Sequence, residues 1–188
     1  AGDVFVSPAD SVQESFGLAV LEAMAAGLPV VVSDWDGYRD IVQEGYSGFR
    51  IPTTWAPCTS VVDTQTEFCA FLSDHLLLGQ GVVVDEDALV DRLRRILEDA
   101  ELRSAMGRRA RERAAQFDWE VIVRRYETTW AALKQEALAA KEDRRPPVRF
   151  PFWQVFGHYA TRCLQPHDAL VLNQTSAPAL EMPSPLQF

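Results

Sequence analysis

Apolar residues come in two kinds of run that alternate along the first fifty positions. Val4, Phe5 and Val6 form a short apolar stretch stopped by Ser7 and Pro8, and Val30, Val31 and Val32 form another directly after Pro29. Both are too short for a helix, and the second is too uniformly apolar for a half-exposed strand, so each predicts a buried strand. Between them the period changes. After a polar loop over residues 7 to 15, Leu18, Leu21 and Ala25 fall on one helical face from Phe16 onward. Ala23 and Ala26 favour the helix, and Gly27 stands where a left-handed C-terminal residue is wanted. Strand, helix and strand within about 30 residues predict a βαβ unit and a parallel sheet.

The rhythm then weakens. "SDWDG" predicts a loop, "YRDIVQEG" a short helix closed by Gly45, and "SGFRIP" a further strand ended by Pro52. Residues 53–83 have mixed periodicity and no caps, which predicts an inserted, partly helical excursion. From Asp85 to Lys141 the pattern is helical: Leu89, Leu93, Ile96 and Leu97 share a face, and Asp85, Glu86 and Asp87 place acids at the positive helix end. Further helices are expected over 100–115 and 119–140, the second with Asp118 as N-cap. "EDRRPP", residues 142–147, reads as a linker, and the aromatic and Pro-rich remainder to residue 188 as an extended tail without its own core. The expected organisation is thus an α/β domain over 1–141, incomplete at its N-terminus, and a linker with tail over 142–188.

Composition narrows the partners. Lys and Arg total 18 against 27 Asp and Glu, and the net charge of −9 opposes binding to nucleic acid. The 47% hydrophobic content of the 188 residues suffices for a core. Cys58, Cys69 and Cys163 are odd in number and widely spaced, which suits reduced thiols and a cytoplasmic setting. No CxxC or CxxH spacing predicts a metal site, and no run of about 18 apolar residues predicts a membrane span.

The chemistry concentrates at the predicted first helix. In open parallel sheets, ligands sit beyond the carboxyl ends of strands, where loops meet helix N-termini. The unpaired N–H groups of a first turn near Ser15, Phe16, Gly17 and Leu18, with the positive end of the helix dipole, make a seat for phosphate. Gly17 lets that backbone approach closely. Two acids flank it. Glu14 precedes the helix, and a carboxylate there suits sugar hydroxyls or a developing positive charge. Glu22 lies about 7 Å along the axis from Gly17 at a rise of about 1.5 Å per residue, roughly the step from a phosphate to a ribose. There it can accept hydrogen bonds from vicinal hydroxyls.

Residues 1–140, through "ESFGLAVLEAMAAGLPVVVSD", "SGFRIP" and "RARERAAQFDWEVIVRRYETTW", resemble the C-terminal domain of family 4 retaining glycosyltransferases, with Glu14 to Glu22 as the E-x7-E motif. That resemblance implies a GT-B architecture of two Rossmann-like domains, of which this chain would be part of the donor-binding one. It implies transfer of a sugar from a nucleotide-diphosphate sugar to a hydroxyl on a glycan, lipid or small molecule, without metal or other cofactor. It gives Glu14 the donor sugar near the reaction centre and Glu22 the ribose. An N-terminal acceptor-binding domain is the implied missing partner, together with the cationic pair that neutralises the diphosphate. Where relatives have Gly-Gly-x-Pro-Glu, this chain reads Asp36-Gly37-Tyr38-Arg39-Asp40. The other expected reading is a non-catalytic nucleotide-binding or assembly module. A chance motif match in an unrelated phosphate-binding α/β domain is the third.

The remaining features have plainer readings. Gly37 and Gly48 read as turn residues. His75, His158 and His167 have no acid or cysteine paired with them in sequence. Arg103, Arg108, Arg109, Arg111 and Arg113 read as a solvated helix face, with attraction to a membrane surface as the alternative. The sequon Asn173-Gln174-Thr175 reads as a chance match. Trp153, Phe156 and Tyr159 read either as a docking strip for the missing domain or as a disordered remnant.

Overall fold

The computed structural model describes residues 2–57, 78–139 and 152–169. Three short strands, β1 (Phe5–Ser7), β2 (Val30–Ser33) and β3 (Gly48–Ile51), form a parallel sheet in the order β1-β2-β3. Phe5 pairs with Val30, and Val30 in turn with Gly48. Every residue of β2 is buried, as its run of valines requires of a central strand covered on both faces. The βαβ unit is therefore present as expected, with α1 (Leu18–Ala25) as its crossover.

Helix α1 stops at a Schellman motif. The Gly27 N–H donates to Met24 O at 2.9 Å and the Leu28 N–H to Ala23 O at 3.1 Å, with Gly27 at φ 83°. The expected core face of α1 is not the real one. Val20, Ala23 and Met24 are buried, whereas Leu18 is 60% exposed and Ala25 is exposed. The helix is apolar nearly all round, so its periodicity has little contrast and does not say which side meets the sheet.

Two cores lie on the two faces of the sheet. Val30 and Val32 pack with Val20, Met24, Tyr38 and Ile41 beneath α1 and α4 (Ala100–Ala114). Val31, Phe49 and Ile51 pack with Ile96 and Met106 beneath α3 (Glu86–Glu98) and α4. Leu89 and Leu93 join that second core, but Leu97, assigned to the same face, is 60% exposed. It lies at the edge of the stripe, at the last turn of α3. Helix α4 reaches α1 through Gly107, where a Cβ would run into the Gly27 carbonyl oxygen and lie 3.5 Å from Pro29 Cδ.

Caps set the helical ends. The Asp85 carboxylate accepts from the Ala88 N–H at 2.9 Å, and Asp99 accepts from the Leu102 N–H at 2.8 Å. Asp99→Ala should therefore cost about 1 kcal/mol in denaturant unfolding, the usual worth of an N-cap; a change under a few tenths would show the cap to be idle. Asp118 accepts from Glu120 at 3.0 Å ahead of α5 (Trp119–Ala139), as expected. The predicted helix over "YRDIVQEG" is only α2 (Tyr38–Ile41), because Val42 turns extended at φ −95° and ψ 118°. Gly45 does not end it: at φ 69° it serves a turn whose N–H meets Gly48 O at 2.8 Å.

The excursion begins as sheet. Directly after Pro52, β4 (Thr53–Trp55) pairs antiparallel with β5 (Val82–Val84); residues 58–77, with Cys58, Cys69 and His75, lie outside the described residues. On the other side of β4 lies β6 (Arg162–Cys163), parallel to it. The segment expected to be an extended tail thus returns to the domain over residues 152–169, through α6 (Phe152–Phe156) and β6. Tyr159 and Ala160 are buried with Trp35 and Trp55, and Trp153 and Phe156 pack against that cluster. These aromatics are therefore packed into the domain and are not a disordered remnant. Residues 140–151, with the expected linker, and 170–188, with the sequon, lie outside the described residues.

Candidate functional site

The loop after β1 and the first turn of α1 meet at the carboxyl ends of β1 and β2. Gly17 opens the helix at φ 94° and ψ 55°, and no side chain caps that turn. The first N–H of the turn to find a helical carbonyl is that of Leu21, on Gly17 O at 3.0 Å. The amides of Leu18, Ala19 and Val20 therefore begin the helix without helical partners, at its positive end. Two constraints require glycine at 17. The left-handed φ disfavours any side chain, and a Cβ would lie 2.6 Å from Tyr38 Cδ1.

Gly37 holds the other side of this loop. A Cβ there would lie 2.7 Å from Phe16 Cα and collide with the Ser15 carbonyl. Its turn reading is incomplete, since its backbone conformation is ordinary helical (φ −60°) and the need for glycine is close backbone approach. Gly48 is likewise a packing glycine, its Cβ position 2.6 Å from Val30 O.

Glu14 is fixed by a residue that sequence reading passed over. Its carboxylate accepts from the Tyr38 hydroxyl at 3.3 Å, while the Ser7 hydroxyl stands 2.9 Å from that same phenol oxygen. Burial raises the Tyr38 pKa, and the nearby Glu14 carboxylate adds to the rise. The phenol therefore stays protonated and donates to the acid. Tyr38 could have been found by asking which polar side chain follows β2 at the sheet's carboxyl end, where sites gather.

Glu22 is exposed and lies in a different setting. With Phe16, Leu18 and Leu21 it forms one wall of a groove of about 650 Å³ whose other wall carries Phe117, Trp119 and Tyr126. The faces meet at an edge-to-face contact of Phe16 on Phe117, 5.9 Å between ring centres. Of the sequence-predicted residues, Phe16, Leu18 and Glu22 thus share this groove, whereas Gly17 lies against the Tyr38 ring and Glu14 stands on the Tyr38 hydroxyl.

The arginines of α4, of which Arg108 and Arg111 are exposed, are mostly engaged by backbone carbonyls or rings of neighbouring elements. Arg111 donates to Ala25 O and Ala26 O, both at 3.1 Å, and so closes the C-terminus of α1. Arg103 does the same for α3, on Ile96 O at 2.9 Å and Leu97 O at 3.0 Å. Arg113 reaches Ile41 O at 3.2 Å, and Arg109 lies 4.5 Å from the centre of the Tyr46 ring. Arg108 bonds Ser104 within its own helix at 3.0 Å.

Beside the site, Asp34 anchors the returning segment. Its carboxylate meets Arg39 Nε at 3.1 Å, Arg50 at 3.5 Å and the Thr161 hydroxyl at 2.8 Å. Arg39 also donates to His158 O and Tyr159 O, each at 2.9 Å. His158 does have an acid after all: its Nε2 lies 3.7 Å from Asp36 Oδ1, a partner 122 positions earlier in the chain. Asp36 itself has φ 30°, a turn conformation held by its N–H on Tyr159 O at 3.2 Å. Burial raises the Tyr159 pKa, with the Asp36 carboxylate adding to it. Cys163 donates to Gly157 O at 3.4 Å, and burial raises its thiol pKa. Among the described residues no group of three His, Cys, Asp or Glu side chains stands in metal-binding array, and no helix is long and apolar enough to cross a membrane.

Residues 1–57, which hold β1 to β4 and both glutamates, match the sequence model of the family described as "Glycosyl transferases group 1". The chain is 37% identical over 122 residues to the sulfoquinovosyl transferase of Arabidopsis thaliana, covering 63% of this chain and 18% of that protein. It is 34% identical over 123 residues to the phosphatidyl-myo-inositol mannosyltransferase of Mycolicibacterium smegmatis, covering 63% of this chain and 24% of that one. Among solved structures, the sucrose-phosphate synthase of Thermosynechococcus elongatus is similar at 27% identity and a TM-score of 0.48, over 72% of this chain and 26% of that chain. The chain spans roughly a fifth to a quarter of the length of these two curated relatives (18% and 24%). Over 63% of its own length it is similar to glycosyltransferases, and the group 1 glycosyl transferase pattern lies on the segment that carries the uncapped helix and its two flanking acids.

Proposed function

We propose that this chain supplies part of the donor site of an enzyme that moves a sugar from a nucleotide-diphosphate sugar to an acceptor hydroxyl, with retained anomeric configuration. The observation that carries it is the uncapped first turn of α1, lying between Glu14 on the Tyr38 phenol and Glu22 in the groove. The turn's free amides take the diphosphate, Glu14 the donor sugar and Glu22 the ribose diol. In the reaction the anomeric C–O bond breaks and its electron pair leaves with the diphosphate. The acceptor oxygen bonds to the anomeric carbon from the leaving-group face and yields its proton to the departing phosphate oxygen. A carboxylate held at Glu14 stabilises the positive charge that develops on the sugar ring.

A second reading, a nucleotide-binding module without turnover, draws on the arginines. Arg103 and Arg111 are engaged by helix carbonyls, so the diphosphate charge falls to the α1 amides, whose dipole contributes about 0.3–2 kcal/mol, and to groups beyond this chain.

Calorimetry tests the site on the chain itself. UDP, GDP or ADP should bind, and Glu22→Ala should weaken binding roughly 10- to 100-fold, the worth of hydrogen bonds to a charged acceptor. Glu14→Ala should leave UDP affinity within about twofold but weaken binding of a UDP-hexose, because only the sugar meets that acid. Absence of nucleotide binding at millimolar concentration would remove the donor reading.

A further inference from the structure

The turn over residues 34–39, between β2 and α2, is gripped from two directions. On the side of the candidate site, Gly37 lies against the backbone of Ser15 and Phe16, and the Tyr38 hydroxyl donates to Glu14 at 3.3 Å. The other grip comes from residues 158–161. The Asp36 N–H donates to Tyr159 O at 3.2 Å, and Arg39 donates to His158 O and Tyr159 O, each at 2.9 Å. The Arg39 fork also closes on Asp34, with Nε on the carboxylate at 3.1 Å and a terminal nitrogen on the carbonyl at 3.0 Å. The Thr161 hydroxyl donates to that same carboxylate at 2.8 Å. Asp36 stands at φ 30°, and a residue with a side chain keeps such a conformation only where its surroundings impose it. Here the Tyr159 carbonyl imposes it. Burial of Tyr159 and Ala160 in the aromatic cluster accounts for the docking of the returning segment, but it does not call for a charged fork that ties this segment to the turn.

We propose that residues 158–161 form a clamp on this turn and that Arg39, which joins the two, is a positioning residue for Glu14. The inference rests on the donor reading above and extends it at the sugar end of the site. Glu14 precedes α1 and is half-buried; its carboxylate accepts from the Tyr38 hydroxyl, and its N–H donates to Ser11 O. A turn that drifts carries Tyr38 with it and takes the donor from that carboxylate. The first-turn amides of α1 depend on the clamp much less, because the helix packs on β2 through Val20 and Met24. Loss of the clamp therefore reaches the sugar before the diphosphate. A methyl added at Gly37 would push directly on the Ser15 carbonyl, whereas a loosened clamp only frees the turn.

A double-mutant binding cycle on the full chain tests this, comparing the nucleotide that binds best among UDP, GDP and ADP with its glucose conjugate. Arg39→Met keeps the aliphatic stem and removes every donor. It should weaken the glucose conjugate about tenfold and leave the free nucleotide within about threefold, as expected for a hydrogen bond lost at one end of the ligand. In a chain that already carries Glu14→Ala, Arg39→Met should weaken the conjugate by less than about twofold, because the two residues act through one contact. In the nuclear magnetic resonance spectrum without ligand, Arg39→Met should shift the backbone N–H signals of Asp36 and Gly37 and leave those of Leu18 to Val20 in place. Arg39→Lys keeps a cation beside Asp34 but cannot span Asp34 and both carbonyls. It should weaken the conjugate about threefold, again without effect beside Glu14→Ala, and it carries the test if Arg39→Met does not fold. Equal losses for nucleotide and conjugate, or a further tenfold loss of the conjugate beside Glu14→Ala, would make the clamp purely structural and overturn the proposal. Unchanged conjugate affinity in Arg39→Met would overturn it as well and leave the donor reading standing. Failure of the wild-type chain to bind any of the three nucleotides would instead remove the donor reading, and this inference with it.

Discussion

Trp35→Ala should destabilise the domain by about 3–5 kcal/mol, the cost of emptying a large aromatic site in a packed core. The side chain is wholly buried, tilted against Trp55 at 5.4 Å and edge-to-face with Tyr159 at 5.6 Å between ring centres. Its indole N–H donates to Ser11 O at 2.9 Å, and that same carbonyl receives the Glu14 N–H at 3.0 Å. The substitution therefore opens a cavity where residues 152–169 return and also releases the loop that presents Glu14. Trp35→Phe, which keeps much of the ring and loses the N–H, should cost about 1–3 kcal/mol, since the Ser11 carbonyl keeps its Glu14 donor. Denaturant unfolding of the three proteins gives both figures. A loss below about 1 kcal/mol in Trp35→Ala would show that the aromatic cluster is not a core.

Gly37→Ala should cost more than about 2 kcal/mol in stability and should also abolish nucleotide binding, although its φ of −60° suits alanine well. The penalty is steric. The added methyl would lie against the Ser15 carbonyl and 2.7 Å from Phe16 Cα, and both are backbone that has no rotamer to yield. Relief requires the 15–16 segment to move away from α2, which shifts the first turn of α1 and uncouples Gly17 from the Tyr38 ring. Contact between these two glycine-bearing loops is what sets the position of the candidate phosphate seat. A stable Gly37→Ala chain that binds UDP with unchanged affinity would show that this approach does not govern the site.

The two predictions concern residues of different legibility. Gly17 and the two glutamates stand out in the sequence because a helix start, a left-handed position and an acid spacing are all local patterns. Gly37 is visible as a glycine, but its purpose depends on a backbone more than twenty positions earlier. Tyr38 is less visible still: in a stretch of mixed character it reads as an ordinary helix-starting aromatic, and only folding brings its hydroxyl to Ser7 and Glu14. The arginines of α4 look like a charged surface when counted along the helix. They are drawn to the carbonyl ends of α1 and α3 because those termini arrive beside them in space.

What the sequence determined by itself was the βαβ unit, the glycine end of α1 at Gly27 and the acid-led starts of the later helices. Each follows from backbone preferences or side-chain spacing within a few residues, so no distant partner is needed to decide it. Only the tertiary structure decided that α1 buries Val20, Ala23 and Met24 rather than Leu18 and Ala25. It also decided that residues 152–169 come back to pair Thr53 with Thr161, their backbone N–H groups each donating to the other's hydroxyl at 2.9 Å. Those outcomes depend on which surfaces meet across more than eighty positions of chain, and an apolar helix or an aromatic segment carries no local mark of the partner that will cover it.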